Sequence, residues 1–216
     1  MRAEKKKELS DFHRCSIQKA AERLFLERGF TDVSVDDIAK EAGYSKATLY
    51  VYFDNKTAIW EGVLDSSIHR LKDRLNDVMQ TDEDALEKYY SFCKTTRVFS
   101  EEYPLFFEGI VGSFSPAMND LETQMYKSRE EVFVLIEQLI KQGIHERVFK
   151  PDVRVSQMSY IFWSCISSLI RMANQNEVFV TSTTDYSKEE FLQYGFETFL
   201  NGIKQKKVWR WNRRKR

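Results

Sequence analysis

Between Tyr44 and Lys56 the chain gathers side chains able to hydrogen-bond a nucleic-acid duplex. Lys46 can donate to phosphate or guanine, and Thr48 to base edges or phosphates. The hydroxyls of Tyr44, Tyr50 and Tyr52 suit phosphates, and the methyl group of Ala47 could touch a thymine methyl. Lys56 would open a helix, where its charge and the free backbone N–H groups could hold one more phosphate. Ser34 and Ser45 stand where two helices should begin and complete the DNA-facing set. All of these types are also ordinary surface residues, so the reading needs a scaffold that turns them the same way.

That scaffold is predicted between Ile17 and Lys56. Ile17, Ala20, Ala21, Leu24 and Phe25 keep the i, i+3, i+4 spacing of one buried helical face. Gly29 suits the left-handed conformation in which helices often end. Ser34 and Asp37 have the spacing of a capping box, in which each side chain serves the other's backbone N–H. Val35, Ile38, Ala39 and Ala42 supply the inner face of that second helix. Gly43 follows, where a helix-turn-helix needs a turn that a side chain would obstruct. Ser45 can cap a third helix anchored from beneath by Leu49 and Phe53. Three short helices with a central glycine also occur in proteins that never meet DNA.

The order of residues adds to this. A-x-x-L-F-x-x-R-G-F at Ala21 to Phe30, T-x-x-S-V-x-x-I-A at Thr31 to Ala39 and A-G-x-S-x-x-T-L-Y-x-Y-F at Ala42 to Phe53, completed by Asn55-Lys56, form one run. This run resembles the DNA-binding domain of the TetR family of transcriptional regulators. It covers about a fifth of the chain, and beyond it only length and helical layout agree. The resemblance implies an all-helical chain of about nine helices. It also implies a small-molecule site among the middle helices and a dimer built through the last two long ones.

Composition sets the remaining limits. Charged residues at 31% beside 42% hydrophobic ones indicate a soluble globular protein. No apolar run can span a bilayer, and the charged start MRAEKKKELSDF lacks the apolar core of a signal peptide, so a cytoplasmic location is expected. Cys15, Cys93 and Cys165 sit singly within apolar helical patterns and are expected to be buried reduced thiols. His13, His69 and His145 are isolated, with no second ligand at metal spacing, and read as helix-face residues. There is no G-x-S-x-G elbow, Walker loop or dinucleotide fingerprint, and only 8 glycines, so neither an enzyme nor a cofactor is expected. The net charge of zero hides an asymmetry. Residues 204–216 carry 8 of the 33 basic side chains and no acid, leaving 25 bases against 33 acids elsewhere, a net of −8. A duplex would be repelled by that body unless its cations share one face.

Three regions are expected: an arm and helix-turn-helix over 1–56, a helical ligand-binding and dimerisation domain over 57–203, and a basic tail over 204–216. The head MRAEKKKELSDFHR reads as a solvated, partly disordered arm. Ile59 to Val78 predict one long helix; further helices follow around Leu86–Phe99, from Pro104, from Leu121 to near Gly143, and from Pro151 to Ile170. Val178-Phe179-Val180-Thr181 has strand propensity but no partner, and is assigned to a loop. Ser187 and Glu190 form a second capping box ahead of a helix through Ile203.

The middle is rich in large apolar groups: Phe92, Phe99, Tyr103, Phe106, Phe107, Phe114, Met125, Tyr126, Phe133 and Trp163. They serve as bundle core, or line the effector site that the resemblance implies, in which case the effector is apolar or aromatic. Tyr160, Ser164, Ser167 and Ser168, with Phe191, Tyr194, Gly195, Thr198 and Phe199, mix small and aromatic residues as interfaces do. The resemblance assigns them to the dimer contact; completing the monomer's core is the alternative. The tail, with Trp209 and Trp211 among basic residues, suits nucleic acid or an anionic surface, or has no role. The expected function is a ligand-responsive repressor that binds a near-palindromic operator as a homodimer and is released by a small apolar or aromatic effector. The alternative is a regulator that activates, or that answers to a protein partner.

Overall fold

Alanine, glutamate, lysine and leucine, all strong helix formers, dominate residues 3–9, and the chain is helical from its second residue. The computed structural model describes residues 2–112, 124–184 and 186–205. Its first helix, α1 (Arg2–Arg28), therefore takes in the head expected to be a disordered arm. The described residues form nine more helices: α2 (Val35–Ala42), α3 (Lys46–Tyr52), α4 (Lys56–Met79), α5 (Ala85–Glu102), α6 (Pro104–Gly112), α7 (Gln124–His145), α8 (Val155–Gln175), α9 (Glu177–Thr184) and α10 (Lys188–Ile203). The protein is all-α, and among the described residues an isolated antiparallel bridge joins Phe149 to Lys204.

The helix beyond the expected nine is α9, which holds the stretch assigned to a loop. β-branched residues disfavour a helix only weakly, and tertiary context overrides that preference. Here α9 touches both α8 and α10, and Thr181 donates to the carbonyl of Glu177, one turn back. The cysteine expectation also needs correction. Cys93 is buried and Cys165 partly so, but Cys15 is exposed, on the side of α1 that carries Lys19 and Arg23. Burial pushes the Cys93 thiol well above its ordinary range, which keeps it protonated.

The chain forms two compact units. The first comprises residues 1–72 and 103–130. Its core takes Ile17, Ala21, Leu24 and Phe25 from α1, Ile38 and Ala39 from α2, and Leu49 from α3. Phe53, then Ile59, Val63 and Leu64 of α4, and Phe106 of α6 close it. Trp60 stands among Phe25, Phe30 and Phe106, with ring centroids 5.4, 5.4 and 5.7 Å away.

The second unit comprises residues 73–102 and 131–216, described as far as Gln205. Phe162 of α8 lies at its centre, meeting Tyr89 and Phe92 of α5 and Phe199 of α10 edge-on. The Tyr89 hydroxyl donates to the Phe196 carbonyl at 2.7 Å, satisfying a buried phenol across the bundle. Both expected capping boxes are present, at Ser34 with Asp37 and at Ser187 with Glu190.

The Ser34 box generates a test. Ser34→Ala removes the acceptor for the Asp37 N–H and should cost about 1 kcal/mol of unfolding free energy, and Ser34→Gly only a few tenths. Urea unfolding followed by circular dichroism measures this; equal midpoints for wild type and Ser34→Ala would deny the cap any stabilising part.

Candidate nucleic-acid interface

A seven-residue helix must be held at both ends and from beneath. Gly43, at φ 74°, ends α2 in the left-handed conformation, and the Tyr44 N–H donates to the Ala39 carbonyl at 2.9 Å. The chain thereby reverses within two residues and delivers Ser45 to the start of α3, where Ser45 Oγ accepts from the Thr48 N–H at 3.0 Å. Leu49 is fully buried and Phe53 nearly so, with the Arg14 guanidinium 4.3 Å above the Phe53 ring. Period then dictates what faces out: Lys46, Ala47, Tyr50 and Val51 are exposed, Val51 most of all at 76%.

The other predicted DNA-facing residues divide by neighbourhood. Thr48 is half-buried, its hydroxyl 2.8 Å from Ser45 Oγ. The Ser34 and Ser45 hydroxyls are occupied as caps. Tyr44 and Tyr52 are half-buried against α1, with their rings 5.5 and 5.4 Å from His13. Lys46 is exposed but paired with Asp36 at 2.7 Å, and that hydrogen bond raises the lysine above its usual range. Asp37 lies below the usual carboxylate range because Ser34 hydrogen-bonds it.

Lys56 takes a different place. Its ammonium donates to the carbonyls of Phe30 and Val33, each at 2.9 Å, and of Thr31 at 3.4 Å, while standing 4.4 Å over the Phe30 ring. It closes the α1–α2 loop, so the side-chain charge proposed for a phosphate is engaged within the protein.

Residues outside the sequence-based set share this surface. His13 approaches the Tyr44 hydroxyl at 2.7 Å, Arg14 donates to the Tyr52 carbonyl, and Asp36 holds Lys46. The first two lie 31 and 38 residues from their partners, a separation no local pattern reports. Val51 was detectable by helical phase, being one position past Tyr50.

Of the predicted ligand set, Tyr103, Phe106 and Phe107 belong to the first unit and Phe92, Phe99, Phe133 and Trp163 to the second. Phe92, Phe99, Phe106 and Phe107 are fully buried as core. Phe114 and the side chains of Met125 and Tyr126 lie outside the described residues. Of the predicted dimer set, Tyr160, Ser164, Ser168, Tyr194 and Thr198 are exposed, Tyr194 at 74%. Ser167 instead points inward and donates to the Trp163 carbonyl at 2.7 Å. Phe191 is half-buried, Phe199 packs on Phe162, and Gly195 lies against Leu169, where a Cβ would come within 2.9 Å of that side chain. Among the described residues no cluster of His, Cys, Asp or Glu could hold a metal ion, and no helix is long and apolar enough to cross a membrane. Of the basic tail, only Lys204 and Gln205 are described.

Residues 17–63 match the sequence profile of the bacterial regulatory proteins of the tetR family. The chain is 27% identical over 132 residues to the nucleoid occlusion factor SlmA of Vibrio atlanticus, which spans 61% of this chain and 65% of that relative. Among solved structures, a TetR-family transcriptional regulator from Pectobacterium atrosepticum superposes with a TM-score of 0.70 at 20% identity, covering 95% of this chain and 98% of that one. The transcriptional regulator FadR of Bacillus subtilis, solved in complex with stearoyl-CoA, does so with a TM-score of 0.67 at 18% identity, covering 88% and 98%. Those two likenesses bear on the fold.

The engaged ammonium of Lys56 can be tested in the free protein. Lys56→Met keeps the stem over Phe30 but strips three carbonyls of their donor, and should lower stability by roughly 1–2 kcal/mol. Lys56→Arg should recover part of the loss. Unchanged urea unfolding in Lys56→Met would mean the carbonyls are served equally well by water.

Proposed function

Because the chain belongs to the TetR family, we propose that this DNA-binding regulator represses transcription by seating α3 in the major groove of a near-palindromic operator, once from each subunit of a homodimer. The observation that carries the reading is the outward set on α3, Lys46, Ala47, Tyr50 and Val51, braced over buried Leu49 and Phe53. Lys46 would exchange Asp36 for a base edge or phosphate. Ala47 and Val51 would offer apolar contact to thymine methyls. Tyr50 would hold a phosphate and fix register.

The dimer would use the exposed faces of α8 and α10. Tyr160, Ile161 and Met172 on α8, and Tyr194 on α10, leave large apolar groups in water, as a surface awaiting a partner does. The effector would be small and apolar or aromatic. The aromatic content of the middle of the chain favours that chemistry, and so does the acyl-CoA held by the B. subtilis neighbour. Linkage requires operator and effector to weaken each other by one common factor. A second reading has its own support. The match to a nucleoid occlusion factor extends well beyond the DNA-binding segment, which favours a regulator that answers to a protein partner.

Selection of duplexes from a random pool tests the core of this reading, with a near-palindrome as the expected product. On the selected site, Lys46→Ala should lose about tenfold in discrimination against unrelated DNA. Tyr50→Phe should weaken binding to every sequence alike, because phosphates carry no code. A Lys46→Ala protein with unchanged preference and salt slope would mean that α3 docks otherwise. For assembly, Tyr194→Asp should sediment as a monomer, since it places a charge in the packed face; an intact dimer would move the interface elsewhere. Operator affinity measured with and without long-chain acyl-CoA or aromatic ligands then separates the two modes of control.

A further inference from the structure

Tyr44 has one hydroxyl proton, and its neighbour competes for it. His13 Nδ1 lies 2.7 Å from that hydroxyl, within one hydrogen bond. If the imidazole is neutral with its proton on Nε2, Nδ1 can only accept, and the phenol spends its proton on the histidine. The phenolic oxygen then has lone pairs alone to offer outward, and two acceptors, Tyr44 and a phosphate, would face each other. If Nδ1 carries a proton the bond reverses. His13 donates, the Tyr44 oxygen accepts, and the hydroxyl proton is free for a phosphate.

The surroundings hold this pair in place. The His13 ring meets Tyr44 edge-on at 5.5 Å, with Tyr52 at 5.4 Å and Phe12 at 5.7 Å. The titratable groups facing it are Tyr44 from the α2–α3 turn and Tyr52 from α3. On its own helix Arg14 is adjacent, its guanidinium on the Phe53 ring and the Tyr52 carbonyl. No carboxylate is hydrogen-bonded to the imidazole among the described residues.

We infer that His13 is a positioning residue that sets the direction of the Tyr44 hydroxyl, and that its protonation couples DNA binding to pH. In the bound complex a relay runs from imidazolium to phenol to phosphate, each group donating to the next. The charge on the ring is also attracted by the backbone phosphates. A neutral ring with its proton on Nδ1 would also turn the hydroxyl outward but brings no charge to the phosphates, so DNA favours the imidazolium and docking is linked to proton uptake. Affinity therefore rises as pH falls. The inference rests on the reading of α3 and its flanking tyrosines as the DNA-facing surface and assigns regulation to that surface.

The test uses the full-length protein and a fluorescently labelled random-sequence duplex at low salt, because phosphate contacts are not sequence-specific. Anisotropy titrations are run at a series of pH values. For wild type, affinity should rise by up to about tenfold per subunit for each pH unit lowered, the limit for uptake of one proton. His13→Asn puts an amide N–H where Nδ1 stands but gains no proton, so binding persists and most of the pH dependence goes. His69 and His145 remain in that variant, and the difference therefore reports His13. Tyr44→Phe keeps the ring contacts without the hydroxyl, and should bind more weakly with a flattened profile. Circular dichroism of each variant verifies folding before titration. Superimposable pH profiles for wild type and His13→Asn would overturn the relay while leaving DNA binding standing. Failure of folded wild type to bind the duplex at any pH would remove the DNA-binding reading and the relay together.

Discussion

A helix of seven residues has no stability of its own in water, because the cost of nucleating it is never recovered over two turns. Everything presented by α3 therefore depends on the burial of Leu49 and Phe53. Those two side chains enter a core supplied by α1, α2, α4 and α6, so the reading surface is the far side of a packing contact. The local devices are subordinate to it. Gly43 sets where α3 can start and Ser45 caps its first turn, but neither would keep an isolated segment helical.

Electrostatics follows the same economy. The body of the chain carries more acids than bases, and several of its cations are partnered: Lys46 with Asp36, Arg23 with Glu41, Arg70 with Glu22, and Lys56 with three carbonyls. An exposed pair such as Lys46 with Asp36 is weak in water. A phosphate can displace that carboxylate at little cost, whereas the Lys56 ammonium is tied to three carbonyls of the α1–α2 loop at once. Pairing thus separates cations available for exchange from cations committed to structure.

What the sequence revealed was what is local in it. Capping boxes span three residues and a left-handed glycine one position, so Ser34 with Asp37, Gly43, and Ser187 with Glu190 could be read directly. Helical phase located the buried anchors of α3. Pairings made by the fold escaped. His13 with Tyr44 and Lys56 with Phe30 join residues 31 and 26 positions apart. Composition could not say which aromatics serve as core: Phe106 and Phe92 are buried, each in its own unit. Nor could texture show that Ser167 donates to the Trp163 carbonyl, that Gly195 lies against Leu169 or that Phe199 packs on Phe162. In α9 the β-branched run is overridden by its contacts with α8 and α10.

The closure of the first core by Phe106 bears on how such a chain can change over time. Trp60 lies between Phe30, in the loop ahead of α2, and Phe106, 46 residues further along in α6. Recombination that exchanged only the first sixty residues would bring a new set of partners to an old Phe106 and leave a void or a clash at the ring cluster. Substitutions at positions 25, 30, 60 and 106 should accordingly be inherited as a group. The reading head is a module in sequence, but in its core it shares an heirloom with α6.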